Sequence, residues 1–209
     1  MLYAIGYHLC RWIARTFFAL SVEGEEHVPK QGPIILAPNH VSNLDPVLVG
    51  IAMRRRVHFM AKKELFRNPL IGWFLRAVQA YPVTRERVDP STLKRTLSFL
   101  AAGRVVMMFP EGTRGDGRAL RPAKPGIAVV AARSGAVVVP VFHWGAEQVL
   151  PRGSRRVRRV PLRVRFGPPL RFPPNVRPDR EALEAFGREV MERIASLRPP
   201  AGQGSPVSR

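Results

Sequence analysis

The sequence predicts an α/β fold, a single domain with a mostly parallel, mixed central sheet flanked by helices. Three observations carry that expectation. Short runs free of polar residues recur at 33–37, 105–109 and 136–141, as in strands covered on both faces. Helix-opening signals fall between them, at Asp45-Pro46, Asp89-Pro90 and Lys124-Pro125-Gly126. At 209 residues the chain is long enough for one domain with a substantial core and leaves little for a second.

Residues 1–20 form a first unit. They are apolar but contain His8, Arg11 and Arg15, which share one narrow helical stripe. Leu2, Ile5, Leu9, Trp12, Ile13, Phe17 and Leu20 cover the other side. A spanning helix needs about 20 mostly uncharged residues, so two arginines argue against crossing a membrane. A cleavable signal fits poorly, because its charges should come before the apolar stretch. Two readings remain: a helix packed on the protein's own core, or an amphipathic helix in the membrane interface. The second is the expectation carried forward.

Residues 21–197 make the main domain. A short strand and turn over 21–32 lead into the buried strand at 33–37. A helix follows at 46–54, with Asp45 expected as its N-cap. Three arginines, Arg54 to Arg56, precede a strand from Val57 that ends at Lys62 and Lys63. Ile71 to Leu75 is a short apolar helix or loop, belonging either to the core or to a membrane-facing surface. Residues 79–85 read as an edge strand because Pro82 cannot donate to a ladder. A helix opened by Asp89-Pro90 buries Leu93, Leu97 and Leu100, and Gly103 ends it. The strand at 105–109 runs into the polar turn 110–114. A small-residue helix (127–134) then leads to the strand at 136–141. Leu162, Val164 and Phe166 alternate with Arg163 and Arg165, which predicts a strand with one wet, basic face. A closing helix at 179–197 buries Leu183, Phe186, Val190, Ile194 and Leu197. Residues 198–209 read as a disordered tail.

Thirty-four Lys and Arg against fifteen Asp and Glu give a net charge of +19. Such a field attracts anions: nucleic acid, anionic lipid, phosphorylated substrates or an acidic carrier protein. A single cysteine, Cys10, excludes an intramolecular disulfide and is compatible with a reducing compartment. The five histidines show no metal-ligand spacing, and no metal is expected.

Chemistry concentrates in strand-to-helix loops. His40 and Asp45, separated by four residues, sit after the first buried strand. A carboxylate beside an imidazole fixes its tautomer and steadies its positive charge, giving a usable general base. Taken alone, the pair is equally a loop histidine and a helix cap. Phe109-Pro110-Glu111-Gly112-Thr113-Arg114 follows a second buried strand, on the same rim if the sheet is parallel there. Glu111 can accept hydrogen bonds from a polyol, Gly112 lets backbone approach a ligand, and Arg114 and Arg85 suit a phosphate. Singly, each arginine is more often surface decoration or an ion-pair partner. No Ser or Cys occupies a nucleophile elbow.

These blocks together resemble a known family. Residues 39–45 look like the His-x4-Asp block of the glycerolipid acyltransferases, and Phe109 to Arg114 matches that family's Phe-Pro-Glu-Gly-Thr-Arg block in full. Pro82-Val83-Thr84-Arg85 and Val138-Val139-Pro140-Val141 resemble its two other blocks, in the family's order across about 25–170. Gln79 and Thr84 depart from it, standing where a glycine and a charged residue are common.

The resemblance implies a glycerol-3-phosphate acyltransferase-like fold and acyl transfer from a thioester to the sn-2 hydroxyl of lysophosphatidate. His40 and Asp45 are then catalytic, and Arg85, Glu111, Gly112, Thr113 and Arg114 bind substrate. Lys62, Lys63, Lys124 or the Gly112 N–H stabilise an oxyanion or phosphate. Acyl-CoA or acyl-carrier protein is the co-substrate, with no cofactor. The expected partners are a lysophospholipid and an anionic membrane surface, at the cytoplasmic face of the cell membrane, with peripheral or monotopic attachment. The arginine run at 152–165 is the expected docking patch, or else a solvated face. Two alternatives stand beside this reading: a sister acyltransferase with another acceptor, such as glycerol-3-phosphate, and a basic nucleic-acid-binding protein without catalysis.

Overall fold

The computed structural model describes residues 2–83, 90–151, 154 and 156–200. Arg85, Thr84, the Asp89 cap, Arg152, Arg155 and the tail from 201 lie outside the described residues.

Seven strands form one mixed sheet in the order β1-β7-β6-β2-β5-β3-β4. They are β1 (Ser21–Glu23), β2 (Ile34–Pro38), β3 (Val57–Lys62), β4 (Ala80–Val83), β5 (Val105–Met107), β6 (Val137–Trp144) and β7 (Arg163–Phe166). β6, β2, β5, β3 and β4 are mutually parallel; β7 is antiparallel to β6 and carries β1 with it. The two central strands, β2 and β6, are buried at every position, which is why their sequences show no alternation. β4 is an edge strand, as its proline requires.

The helices are α1 (Leu2–Phe18), α2 (Asp45–Ala52), α3 (Pro69–Ala77), α4 (Pro90–Ala101), α5 (Gly126–Ser134), α6 (Ala146–Val149) and α7 (Arg180–Ser196). One face of the sheet packs on α1 and α2 through Ile34, Leu36, Val139, Val141, Leu48 and Val49. The other packs on α4, α5 and α7 through Ile35, Val106, Val138, Ile127, Val190 and Ile194.

Two local expectations need correcting, for Asp45 and for the start of the tail. Asp45 is not an N-cap: Leu44 holds that position without a side-chain bond, and Asp45 is the first helical residue. Its carboxylate turns back into the preceding loop, where backbone N–H groups outcompete those of its own helix. β7 alternates as expected, with Val164 and Phe166 buried and Arg163 and Arg165 partly exposed on the other face. Arg163 donates to Ala19 O (2.8 Å), and Arg165 binds Glu23 (2.8 Å) and Leu197 O (3.0 Å), lacing β7 to its neighbours. Arg198 and Pro199, assigned to the tail, are held: Arg198 donates to the carbonyls of Gly117 and Arg118, and Pro199 is buried.

α1 docks by an unexpected edge. Tyr7, Cys10, Ala14 and Phe18 pack on the core, and Arg11 turns inward to Ile51 O (2.8 Å) and Glu25 (3.6 Å). Of the predicted apolar face, Ile5, Leu9, Trp12, Ile13 and Phe17 are exposed, whereas Leu20 is buried in the core. On α3, Leu70, Ile71, Trp73 and Phe74 are exposed as well. No helix among the described residues is long and apolar enough to cross a membrane.

Candidate active site

Because five strands run parallel, their carboxyl ends share one rim, and the loops leaving β2, β3 and β5 open there. The register makes this concrete. Leu36, Met107 and Phe59 are level across β2, β5 and β3, and Lys62 is level with Val83 on β4. His40 therefore stands two residues beyond the end of β2, and Phe109 two beyond the end of β5.

The loop 39–44 is folded around one carboxylate. Asp45 Oδ2 accepts from Val41 N (2.7 Å), Ser42 N (2.8 Å) and the His40 ring, whose Nδ1 lies 2.8 Å away. A carboxylate only accepts, so Nδ1 carries the hydrogen and Nε2 keeps its lone pair. Nε2 has no hydrogen-bond partner among the described residues. The ring is clamped from above: it stacks on Phe109 with centroids 3.9 Å apart and planes 22° from parallel. His40 is 6% exposed and Asp45 is fully buried. A buried carboxylate with three donors on one oxygen is held rigidly, and so is the imidazole it aims.

The block after β5 braces this loop. Glu111 is 2% exposed; Oε1 accepts from His40 N (2.9 Å) and Oε2 from Arg121 N (3.0 Å). Gly115 N donates to His40 O (2.8 Å), so both backbone polar groups of His40 are tied to the second loop. Glu111 was expected to meet a polyol, but both of its oxygens are occupied by backbone. Gly112 takes the positive φ (71°) that its turn needs, and its N–H donates to Phe109 O (3.0 Å). That N–H is not available to an oxyanion. Thr113 is exposed and accepts from Arg121 Nη1 (3.0 Å). Arg114, next to Gly115, is half-buried and has no hydrogen bond or ion pair among the described residues. Lys124 donates through its backbone to Pro110 O (2.8 Å), and its stem lies against Gly112, with Cγ 3.0 Å from where a Cβ would be. Lys62 and Lys63 are exposed, and no hydrogen bond joins them to the His40 loop.

Two residues behind the dyad were not foreseen. The Asn39 side chain exchanges hydrogen bonds with the His143 backbone (3.0 and 2.9 Å), which anchors the loop to β6. His143 itself is fully buried beneath Asp45. A signal for it existed: it is the only polar side chain in the eight-residue strand Val137–Trp144 apart from the indole of Trp144.

A narrow apolar slot lies between α1, α2, β3 and α3. Tyr3, Gly6, Val47, Gly50, Phe59 and Phe74 are among its walls, and Pro46 and Val47 directly follow Asp45. Open space faces both Gly6 and Gly50.

Fold and site define an α/β protein with a rigidly mounted His–Asp pair at the carboxyl rim of its sheet. Residues 19–144 match the family model described as Acyltransferase, and the chain belongs to that family. It is 31% identical over 180 residues to a 1-acyl-sn-glycerol-3-phosphate acyltransferase of Bacillus subtilis, covering 85% of this chain and 87% of that one. A chloroplastic 1-acyl-sn-glycerol-3-phosphate acyltransferase of Arabidopsis thaliana is 33% identical over 146 residues, covering 68% of this chain and 40% of that one. The crystal structure of the 1-acyl-sn-glycerophosphate acyltransferase of Thermotoga maritima superposes with a TM-score of 0.73 at 26% identity, covering 94% of this chain and 78% of that one. Membership of an enzyme family overturns the alternative of a non-catalytic nucleic-acid-binding protein.

Proposed function

We propose that the protein acylates the sn-2 hydroxyl of lysophosphatidate from an acyl thioester, acyl-CoA or acyl-carrier protein, giving phosphatidate for phospholipid biosynthesis. The observation that carries this reading is the His40 ring, pinned through Nδ1 to Asp45 (2.8 Å), with Nε2 on the rim and unpaired among the described residues. His40 Nε2 takes the hydroxyl proton as the oxygen attacks the thioester carbonyl. The tetrahedral intermediate collapses with cleavage of the C–S bond, and the departing thiolate takes from Nε2 the proton that came from the hydroxyl. A thioester is already activated, so no acyl-enzyme is required, and the steps call for no cofactor.

Arg114 and Arg85 are assigned the acceptor phosphate. A guanidinium fork matches its oxygens, and Arg114, beside the His40 loop, has no partner among the described residues. With the Gly112 N–H engaged, Lys124 is the better candidate for the oxyanion, ahead of Lys62 and Lys63. The apolar slot beginning at Pro46 suits an acyl chain. The exposed faces of α1 and α3, on a chain of net charge +19, suit an anionic membrane surface at the cytoplasmic face of the cell membrane.

The test is purified protein given lysophosphatidate with matched acyl-CoA and acyl-carrier-protein donors, followed by product mass. Phosphatidate is expected. Product only with glycerol-3-phosphate or another lysophospholipid would move the assignment to a sister enzyme, and no acylated product across the panel would overturn it. His40→Ala should abolish kcat, and Arg85→Ala should mainly raise KM for the phosphorylated acceptor.

A further inference from the structure

β6 is an unusual place for an imidazole. Its eight residues are buried at every position, and strand alternation puts His143 on the same face as Val139 and Val141, the face covered by α2. There it lies under the first residue of α2, which is Asp45. His143 Nε2 is 2.9 Å from Asn39 O and 3.7 Å from Asp45 Oδ1. A carbonyl only accepts, so Nε2 carries the hydrogen, and the positive end of that N–H dipole lies beside the carboxylate.

The two oxygens of Asp45 are treated very differently. Oδ2 collects three N–H groups, while Oδ1 is buried with no hydrogen-bond partner in the structure. His143 Nδ1 is also buried and unpaired. Leaving such a carboxylate oxygen bare is unfavourable, and a ring N–H 3.7 Å away reaches it through a small rotation about the bond it already makes to Asn39.

We propose that His143 is a positioning residue for the His40–Asp45 dyad, sharing its Nε2–H between Asn39 O and Asp45 Oδ1. The dyad is thus a chain of three groups, His40–Asp45–His143, drawn from the loop after β2, from α2 and from β6. This inference rests on the reading of His40 as the base. A donor on Oδ1 spreads the carboxylate charge over two sets of hydrogen bonds. Less of that charge then acts on His40, which sets how tightly His40 holds the proton it takes from the acceptor. Without the donor, Asp45 concentrates its charge on the His40 side and the imidazolium is over-stabilised. Proton return to the leaving thiolate then slows. Among the described residues the other carboxylate bound to the dyad's loop is Glu111, on His40 N; Glu147 on α6 lies farther along, its stem near Gly117. Substitution at 143 leaves both in place.

The experiment is the pH profile of kcat/KM for wild type, His143→Leu and His143→Gln. A glutamine reaches with an N–H to the place of Nε2, whereas leucine fills the volume without a donor. His143→Leu should move the acid limb up by at least about half a pH unit and lower kcat about tenfold, the loss of one net hydrogen bond. His143→Gln should return the limb to its wild-type position. An unmoved limb in His143→Leu would overturn the proposal, as would equal shifts in the two variants. If the leucine variant does not fold, the His40 ring is titrated by NMR in His143→Gln and His143→Asn. Asparagine is too short to reach Oδ1, so only it should raise the His40 pKa; identical titrations would overturn the proposal. The NMR arm needs no turnover. If wild type shows no acid limb, or His40→Ala stays active, the reading of His40 as base has failed instead.

Discussion

Replacing Glu111 separates a brace from a substrate contact. The carboxylate is 2% exposed, and each oxygen accepts one backbone N–H, from His40 and from Arg121. Hydrogen bonds to a charged group contribute about 1.5–3 kcal/mol each, and the N–H groups left behind are poorly hydrated. Glu111→Ala should therefore destabilise by about 3–5 kcal/mol, which for a domain of this size lowers Tm by about 6–20 °C. Glu111→Gln keeps one acceptor oxygen and sets an amide NH2 against the other N–H, so roughly half of that loss is expected. Because His40 is held through its own backbone, kcat should fall on the order of 100-fold, as for a displaced catalytic group. KM for lysophosphatidate should change little. The assays are thermal unfolding and steady-state kinetics on the same preparations. A Glu111→Gln enzyme with wild-type Tm and kcat but a KM raised tenfold would refute the brace and restore Glu111 as a contact of the acceptor.

Four further outcomes are expected. Asp45→Asn should fold, because Oδ2 can be replaced by an amide oxygen, yet lose about 100-fold or more in kcat when measured with saturating donor. Arg114→Ala should raise KM for phosphorylated acceptors with a smaller effect on kcat; equal losses on an acceptor without phosphate would argue against the phosphate role. His58, buried against Phe99 and facing the charge of Arg104, has its pKa lowered to about 4, chiefly by burial. The unfolded chain takes up that proton below about 6.5 and the folded one refuses it until about 4. Stability should therefore fall across that window by up to about 3 kcal/mol, and His58→Phe should flatten this part of the profile in urea titrations. Trp12→Glu with Trp73→Glu should abolish co-sedimentation with anionic vesicles and leave the circular dichroism unchanged. Each exposed indole is expected to contribute about 2 kcal/mol, and retained binding would remove the membrane assignment for α1 and α3.

Gln79 shows how far a sequence reading can reach. It stands where the family commonly has glycine, and in the structure its φ is +68°, a left-handed conformation that L-residues adopt at a cost. The sequence marked the position as anomalous; only the backbone shows that a turn between α3 and β4 needs positive φ there. Gln79→Gly would relieve that strain.

The strand–helix alternation, the edge position of β4 and the amphipathic α7 are local in origin. They follow from hydrophobic period, proline's missing N–H and helix-capping residues, so residue order alone determined them. The placing of the His40 and Glu111 blocks on one rim was conditional on parallel pairing, which β2 and β5 show in the structure. Tertiary structure decided where side chains turn once the loops close. Asp45 abandons its cap for three donors in the preceding loop, Glu111 points inward to backbone, and His143 reaches Asp45 from 98 positions away in the chain. It also decided that α1 docks by the edge carrying Arg11 and leaves Trp12 and Phe17 outside. Periodicity defines an apolar face but not its partner; that depends on which buried groups, here Ile51 O and Glu25, can satisfy the charge lying beside it.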